Sequence, residues 1–232
     1  MNRRTAVFVV VAVLLAIVFV RLGIWQLSRL EQRRARNRVL AARLAEPPIP
    51  FEQLRDTVSY RRTTLAGAPD YANELVYTGR SRNGSPGVYI LTPVRRPNND
   101  TAVLVIRGWV YAPDAATADL SRWREPRKTF AGYVSALPAR SSPNATRGRK
   151  IRVLSAQSVR GSLPYAVAPL YVVSQDSVSD STPARLSPPA LDDGPHLSYA
   201  IQWFSFATIA VVGAAMVVVR ARTKEGAGAT GA

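Results

Sequence analysis

The hydrophobic and polar positions of this chain fall into three blocks. Residues 6 to 20, "AVFVVVAVLLAIVFV", are unbroken apolar residues, and "LGIWQL" extends them past a single Arg21. Residues 197 to 219, "LSYAIQWFSFATIAVVGAAMVVV", carry no charge. A helix needs about 20 apolar residues to cross roughly 30 Å of hydrocarbon. The pattern therefore predicts membrane-spanning helices over residues 6–24 and 196–219. Arg21, near the end of the first, can snorkel to the headgroups. No small-x-small cleavage site follows the first run, so it reads as an uncleaved anchor rather than a signal peptide.

Between the two runs the period changes twice. "RLGIWQLSRLEQRRARNRVLAARLA" (21–45) consists of strong helix formers, with no Gly or Pro after Gly23. It predicts a helical extension over 25–46 that stops at Pro47-Pro48. Strand patterns follow at 60–68, 75–82, 87–96, 101–112, 128–137 and 165–176, separated by turn signals such as "RNGSPG" and "RPNND". Val103, Leu104, Val105 and Ile106 are all apolar, which predicts a strand buried on both faces. Residues 138–150 read as an exposed loop, 174–196 as an extended return, and "EGAGATGA" as a disordered end. The predicted fold is membrane α+β: two transmembrane helices flanking a compact, mainly antiparallel β domain over residues 47–195.

Charge sets the expected orientation. Short tails, residues 1–5 and 220–232, carry Arg3, Arg4, Arg220, Arg222 and Lys224, which places them in the cytoplasm and the β domain outside it. The arginines at 21 to 43 oppose this, but a loop this long translocates largely regardless of charge. Between Arg21 and His196 lie 26 of the 31 Lys and Arg residues and 14 of the 15 acids. Such an excess suits anionic lipid headgroups or an acidic protein partner. Nucleic acid fits poorly, because the arginines are spread along the chain and no recognition element gathers them. Cysteine is absent, so the domain must rely on its core rather than on disulfides.

Most catalytic constellations fail by inventory. One histidine and no cysteine cannot build a zinc site, a thiolate copper site or a c-type haem attachment. No glycine-rich stretch opens a helix as a phosphate loop does. Asp192 and Asp193 are adjacent, and read as a solvated turn. The lone His196 follows Pro195, which suits the first turn of a helix. His196, Tyr199 and Trp203 then share one face at i, i+3 and i+7. By local physics that face fits an interfacial aromatic belt first. An imidazole ligand to haem iron, walled by aromatics, is the second reading. Trp25 and Gln26 end the first span at the same expected depth, and Trp25 is one turn from Arg29.

"LGIWQLSRLEQRR", "SPGVYILTPV", "VLVIRGWVYAPD" and "PHLSYAIQWF", in this order, resemble the Surfeit locus protein 1 family of cytochrome c oxidase assembly factors. The resemblance implies a non-catalytic bacterial inner-membrane protein that helps build subunit I of a haem–copper oxidase. Haem a delivery or retention is the implied activity, and haem a synthase is a second implied partner. It maps the family's proposed haem ligand onto His196, the cofactor walls onto Tyr199 and Trp203, and the Trp-Gln pair onto Trp25 and Gln26. The family's Arg-Gly-Trp strand maps onto Arg107, Gly108 and Trp109. Those three have two readings: a bulge at Gly108 with Trp109 packed as core, or a surface that contacts the oxidase. One departure stands out, Gly194-Pro195 where the family often has Asn. The rival functional reading is a membrane chaperone that holds subunit I without binding haem.

Overall fold

The structure, a computed structural model, describes residues 2–54, 59–97, 99–140, 146–176 and 182–229. The elements run α1 (Arg3–Ala45), β1 (Ile49–Pro50), β2 (Arg62–Ala66), β3 (Ala68–Pro69), β4 (Leu75–Arg82), β5 (Ser85–Arg95), β6 (Ala102–Tyr111), β7 (Thr129–Ala136), β8 (Thr146–Arg147), β9 (Lys150–Ile151), α2 (Ala156–Arg160), β10 (Val167–Ser174) and α3 (His196–Ala229). The chain divides into two compact units, Met1–Val39 with Ala190–Ala232, and Leu40–Pro189.

In the first unit, α1 and α3 are both long and apolar enough to cross a membrane. Asn2 opens α1 by accepting the Thr5 backbone N–H through Oδ1 at 2.9 Å. The helices meet through small residues. Ala16, Gly23 and Leu30 are buried on α1, and Ala200, Ala207 and Ala214 on α3, each set seven residues apart. That spacing is the seam of a left-handed helix pair, and small side chains let the backbones approach. At Gly23 the fit is tight enough that a Cβ would lie 2.7 Å from Phe204 Cζ. The large apolar residues on the outer faces, such as Phe8, Leu14, Ile201 and Ile209, are exposed, as lipid-facing residues would be.

The second unit is a mixed sheet ordered β1-β2-β7-β10-β6-β5-β4-β9-β8, with β3 paired to β5. Antiparallel pairings dominate; β1–β2, β10–β6 and β4–β9 are parallel. Asn83 and Gly84, at φ 51° and 79°, turn the β4–β5 hairpin as an Asn-Gly pair is suited to do. β6 lies inside the sheet, and its residues serve both faces. Leu104 and Ile106 join the core of Leu75, Leu91, Tyr133, Ile151 and Val159, while Val103 and Val105 join Phe51, Leu65, Phe130 and Val172. The expectation of a strand buried on both faces holds.

A short hairpin and a short helix were not expected. Within residues 138–150, read as a loop, Thr146–Arg147 and Lys150–Ile151 form an antiparallel hairpin that pairs with β4; residues 141–145 lie outside the described residues. Ile151 is completely buried and carries the hairpin into the core. α2 is a single helical stretch held by a capping box, in which Ser155 Oγ accepts from Ser158 N at 3.0 Å and Ser158 Oγ from Ser155 N at 2.9 Å. At the other end, α3 continues to Ala229, so the helix enters the tail expected to be disordered; residues 230–232 lie outside the described residues.

Candidate functional site

At the start of α3 the only imidazole of the chain meets α1. His196 Nδ1 lies 2.9 Å from Gln26 Oε1, and both side chains are half-buried. An amide oxygen only accepts, so Nδ1 is the donor of this bond. Nε2 has no hydrogen-bonding partner among the described residues. One heptad further along both helices, Trp203 stacks on Phe19, with centroids 5.7 Å apart and planes at 24°, and meets Phe206 edge-on at 5.9 Å. Tyr199 is 46% exposed and Trp25 54% exposed. The structure thus brings Gln26 to His196 and buries one face of Trp203, while Trp25 and Tyr199 stay outside that contact. Arg29 donates to Gln32 Oε1 at 3.0 Å, one turn further along α1.

The Asp192 and Asp193 side chains are exposed, as a solvated turn requires, and arginines of α1 grip them. Arg33 donates Nε to the Asp192 carbonyl and Nη2 to Asp192 Oδ1, both at 2.8 Å, and Asn37 reaches the same carbonyl at 2.8 Å. Arg34 donates Nε and Nη2 to Asp193 Oδ2 at 2.9 and 2.7 Å. The Arg34 hydrogen bond, with the Arg34 and Arg33 charges, holds the Asp193 carboxyl below its usual value against the opposing effect of desolvation. The turn closes at Gly194, φ 66°, whose N–H bonds Asp192 Oδ1 at 2.8 Å. That conformation favours Gly and is also open to Asn. A Cβ on Gly194 would lie 3.6 Å from His196 Cδ2, an ordinary van der Waals contact. No sequence signal announced this clamp, because its partners are more than 150 residues apart.

Arg107, Gly108 and Trp109 take a different place from a partner-contact surface. Ile90 faces Gly108 and Leu91 faces Ile106, so Arg107 is the extra residue of a bulge. Arg107 is fully buried and cannot offer a surface to another protein. Its Nη2 bonds Glu74 Oε1 at 2.7 Å, Nη1 Glu125 Oε1 at 3.1 Å, and Nε Thr92 Oγ1 at 2.7 Å. Nη1 also donates to the Trp123 carbonyl. Glu125 is held from a third side by Arg185 Nη2 at 2.8 Å, and Arg185 Nη1 reaches the Arg107 carbonyl at 2.7 Å. Arg127 bridges Glu125 and Asp176. Gly108, φ 154°, lies against the Ala184 backbone, where a Cβ would come within 2.5 Å of its carbonyl oxygen. Trp109 exchanges both backbone hydrogen bonds with Ala184, at 2.7 and 2.9 Å. The Arg-Gly-Trp strand thus fastens residues 184–185 to the sheet.

A protein-built metal site needs several converging donors, and no group of three His, Cys, Asp or Glu could hold an ion among the described residues. A single imidazole with a free nitrogen suits an iron that a macrocycle already chelates.

Relatives carry the comparison further. A SURF1-like protein of Rickettsia felis is 23% identical over 210 residues, covering 84% of this chain and 89% of its own. An uncharacterized SURF1-like protein of Mycobacterium tuberculosis is 27% identical over 256 residues, covering 96% of this chain and 87% of its own. The cytochrome oxidase assembly protein SHY1 of Saccharomyces cerevisiae is 29% identical over 103 residues, 40% of this chain and 26% of its own. The family match itself runs over residues 13–208, from inside α1, through every strand, and past His196 and Trp203. With so continuous a match, this chain belongs to the SURF1 family.

Proposed function

We propose that this protein is an assembly factor for a haem–copper cytochrome oxidase of the bacterial inner membrane, helping to deliver haem a to subunit I or to retain it there. The assembly role rests on family membership and on the name of the yeast relative, a cytochrome oxidase assembly protein. The haem reading is carried by one observation: the sole histidine holds Nδ1 to Gln26 and leaves Nε2 without a hydrogen-bonding partner among the described residues, on a part-buried ring. Its work is holding, not bond making. Haem a supplies the iron that Nε2 would ligate. His196 would give a single nitrogen donor, which suits a cargo that must be passed on. Trp203 and Tyr199 line the same helix face, and Trp25 stands exposed beside Gln26 in sequence. Arg33 and Arg34 are engaged by Asp192 and Asp193, which leaves Arg21 and Arg29 as the nearby cations for propionate groups. Subunit I is the recipient, haem a synthase the donor, and anionic lipids the surroundings. The tails face the cytoplasm and the sheet domain lies outside it.

Visible absorption of the protein purified from haem a-producing cells tests this reading. Wild type should carry a haem a spectrum and His196→Ala should lose it, with membrane oxidase haem a falling in parallel. A His196→Ala protein with a full haem complement sinks the ligand assignment. Normal oxidase in that strain would favour a protein-only chaperone.

A further inference from the structure

An imidazole side chain can place its single neutral-state proton on either nitrogen, and the bond made by one nitrogen decides which carries the lone pair. In this protein Oε1 of Gln26 stands 2.9 Å from Nδ1. We infer that Gln26 is a positioning residue that locks His196 as the Nδ1–H tautomer and thereby presents Nε2 as the ligating nitrogen. This rests on the haem-holding reading above, and assigns Gln26 a task without contact to the cargo.

Three features around the pair support the assignment. The Arg33, Arg34 and Asn37 grip on Asp192 and Asp193 fixes the chain just before His196. The Phe19–Trp203 stack and the Gly23–Phe204 contact fix the two helices one heptad beyond. The ring is therefore braced from both sides, so a single amide can set its direction. Nε2 is without a hydrogen-bonding partner among the described residues. A ligating histidine commonly donates its other N–H to an oxygen acceptor, which orients the ring and raises its basicity. An unconstrained histidine prefers the opposite tautomer, so the amide has to invert a preference rather than reinforce one.

The test needs no haem. Full-length protein with 15N-labelled histidine, in detergent at a pH where the ring is neutral, gives signals from one imidazole only. Couplings of its ring nitrogens to the carbon-bound protons report the tautomer. Wild type should show protonated Nδ1 and bare Nε2. Gln26→Leu should shift the ring to Nε2–H and retain several-fold less haem a, while Gln26→Glu should keep both wild-type properties. Nε2–H in wild type overturns the proposal, as does a tautomer unmoved by Gln26→Leu. Gln26→Leu with a reversed tautomer but full haem retention overturns the positioning role. Failure of the haem reading itself appears separately, as haem retained by His196→Ala.

Discussion

Arg107 shows how a single residue can organise the sheet domain. It is fully buried, yet its guanidinium faces Glu74, Glu125, Thr92 and a carbonyl, so its charge and donors are met. Removing one partner of such a group leaves the others charged and buried, at about 3–5 kcal/mol. Arg107→Leu should lower the unfolding free energy of the purified protein by that amount, read as a lower denaturant midpoint, whereas Arg107→Leu with Glu74→Leu and Glu125→Gln should recover part of it. An Arg107→Leu protein of wild-type stability would show that the network contributes little. Glu125 adds a pH dependence. Burial pushes its carboxyl up, but the Arg185 hydrogen bond and the charges of Arg185, Arg107 and Arg127 outweigh it and hold the group below its ordinary value. A depressed carboxylate contributes stability that is complete above the unfolded value, about 4.3, and disappears as pH falls through the folded one. Stability should thus drop below about pH 4, and Arg185→Ala should shrink that drop. Equal acid sensitivity in the two proteins would contradict the role given to Arg185.

At the scale of elements, the seam between α1 and α3 makes a sharper distinction between substitutions. A Cβ on Gly23 meets the tip of the Phe204 ring at 2.7 to 3.0 Å, and the tip of a ring can swing aside. Gly23→Ala should therefore change thermal stability in detergent little. Gly23→Leu fills the space the ring would use and should cost about 1–3 kcal/mol, the ordinary range for overpacking. A melting temperature unaffected by Gly23→Leu would argue against this helix pairing. The same scale shows what periodicity could reveal. The six long strands, the two apolar helices and the stop before Pro47 were legible, because burial on one or two faces writes itself into alternating or continuous apolar runs. The two-residue strands β8 and β9 and the five-residue α2 were not, since none is long enough to repeat its period.

For the whole molecule, orientation is the open quantity that charge decides. The proposed topology places the sheet domain outside and both tails inside. The chain contains no cysteine, so single introduced cysteines report without background. A membrane-impermeant maleimide should label Ser121→Cys in intact spheroplasts, and Thr223→Cys only after permeabilisation. The reverse pattern would invert the topology.

The sequence by itself determined the two apolar helices, the strand-rich domain between them, and a lone histidine at the opening of the second helix. It also limited the chemistry, because one histidine and no cysteine leave few ways to hold a metal. Only the tertiary structure decided what the polar residues do. Arg107 was as compatible with a surface as with a core until the bulge turned it towards Glu74 and Glu125. Asp192 and Asp193 read as a solvated turn, and only the fold showed that Arg33 and Arg34 grip it. Gln26 and His196 are 170 positions apart, and their 2.9 Å contact sets the ring's proton. The physical reason is one of range. Hydropathy and periodicity record each residue's average exposure, which is local to its element. The partner of a buried charge or an imidazole is chosen by which elements pack together, and no local pattern carries that choice.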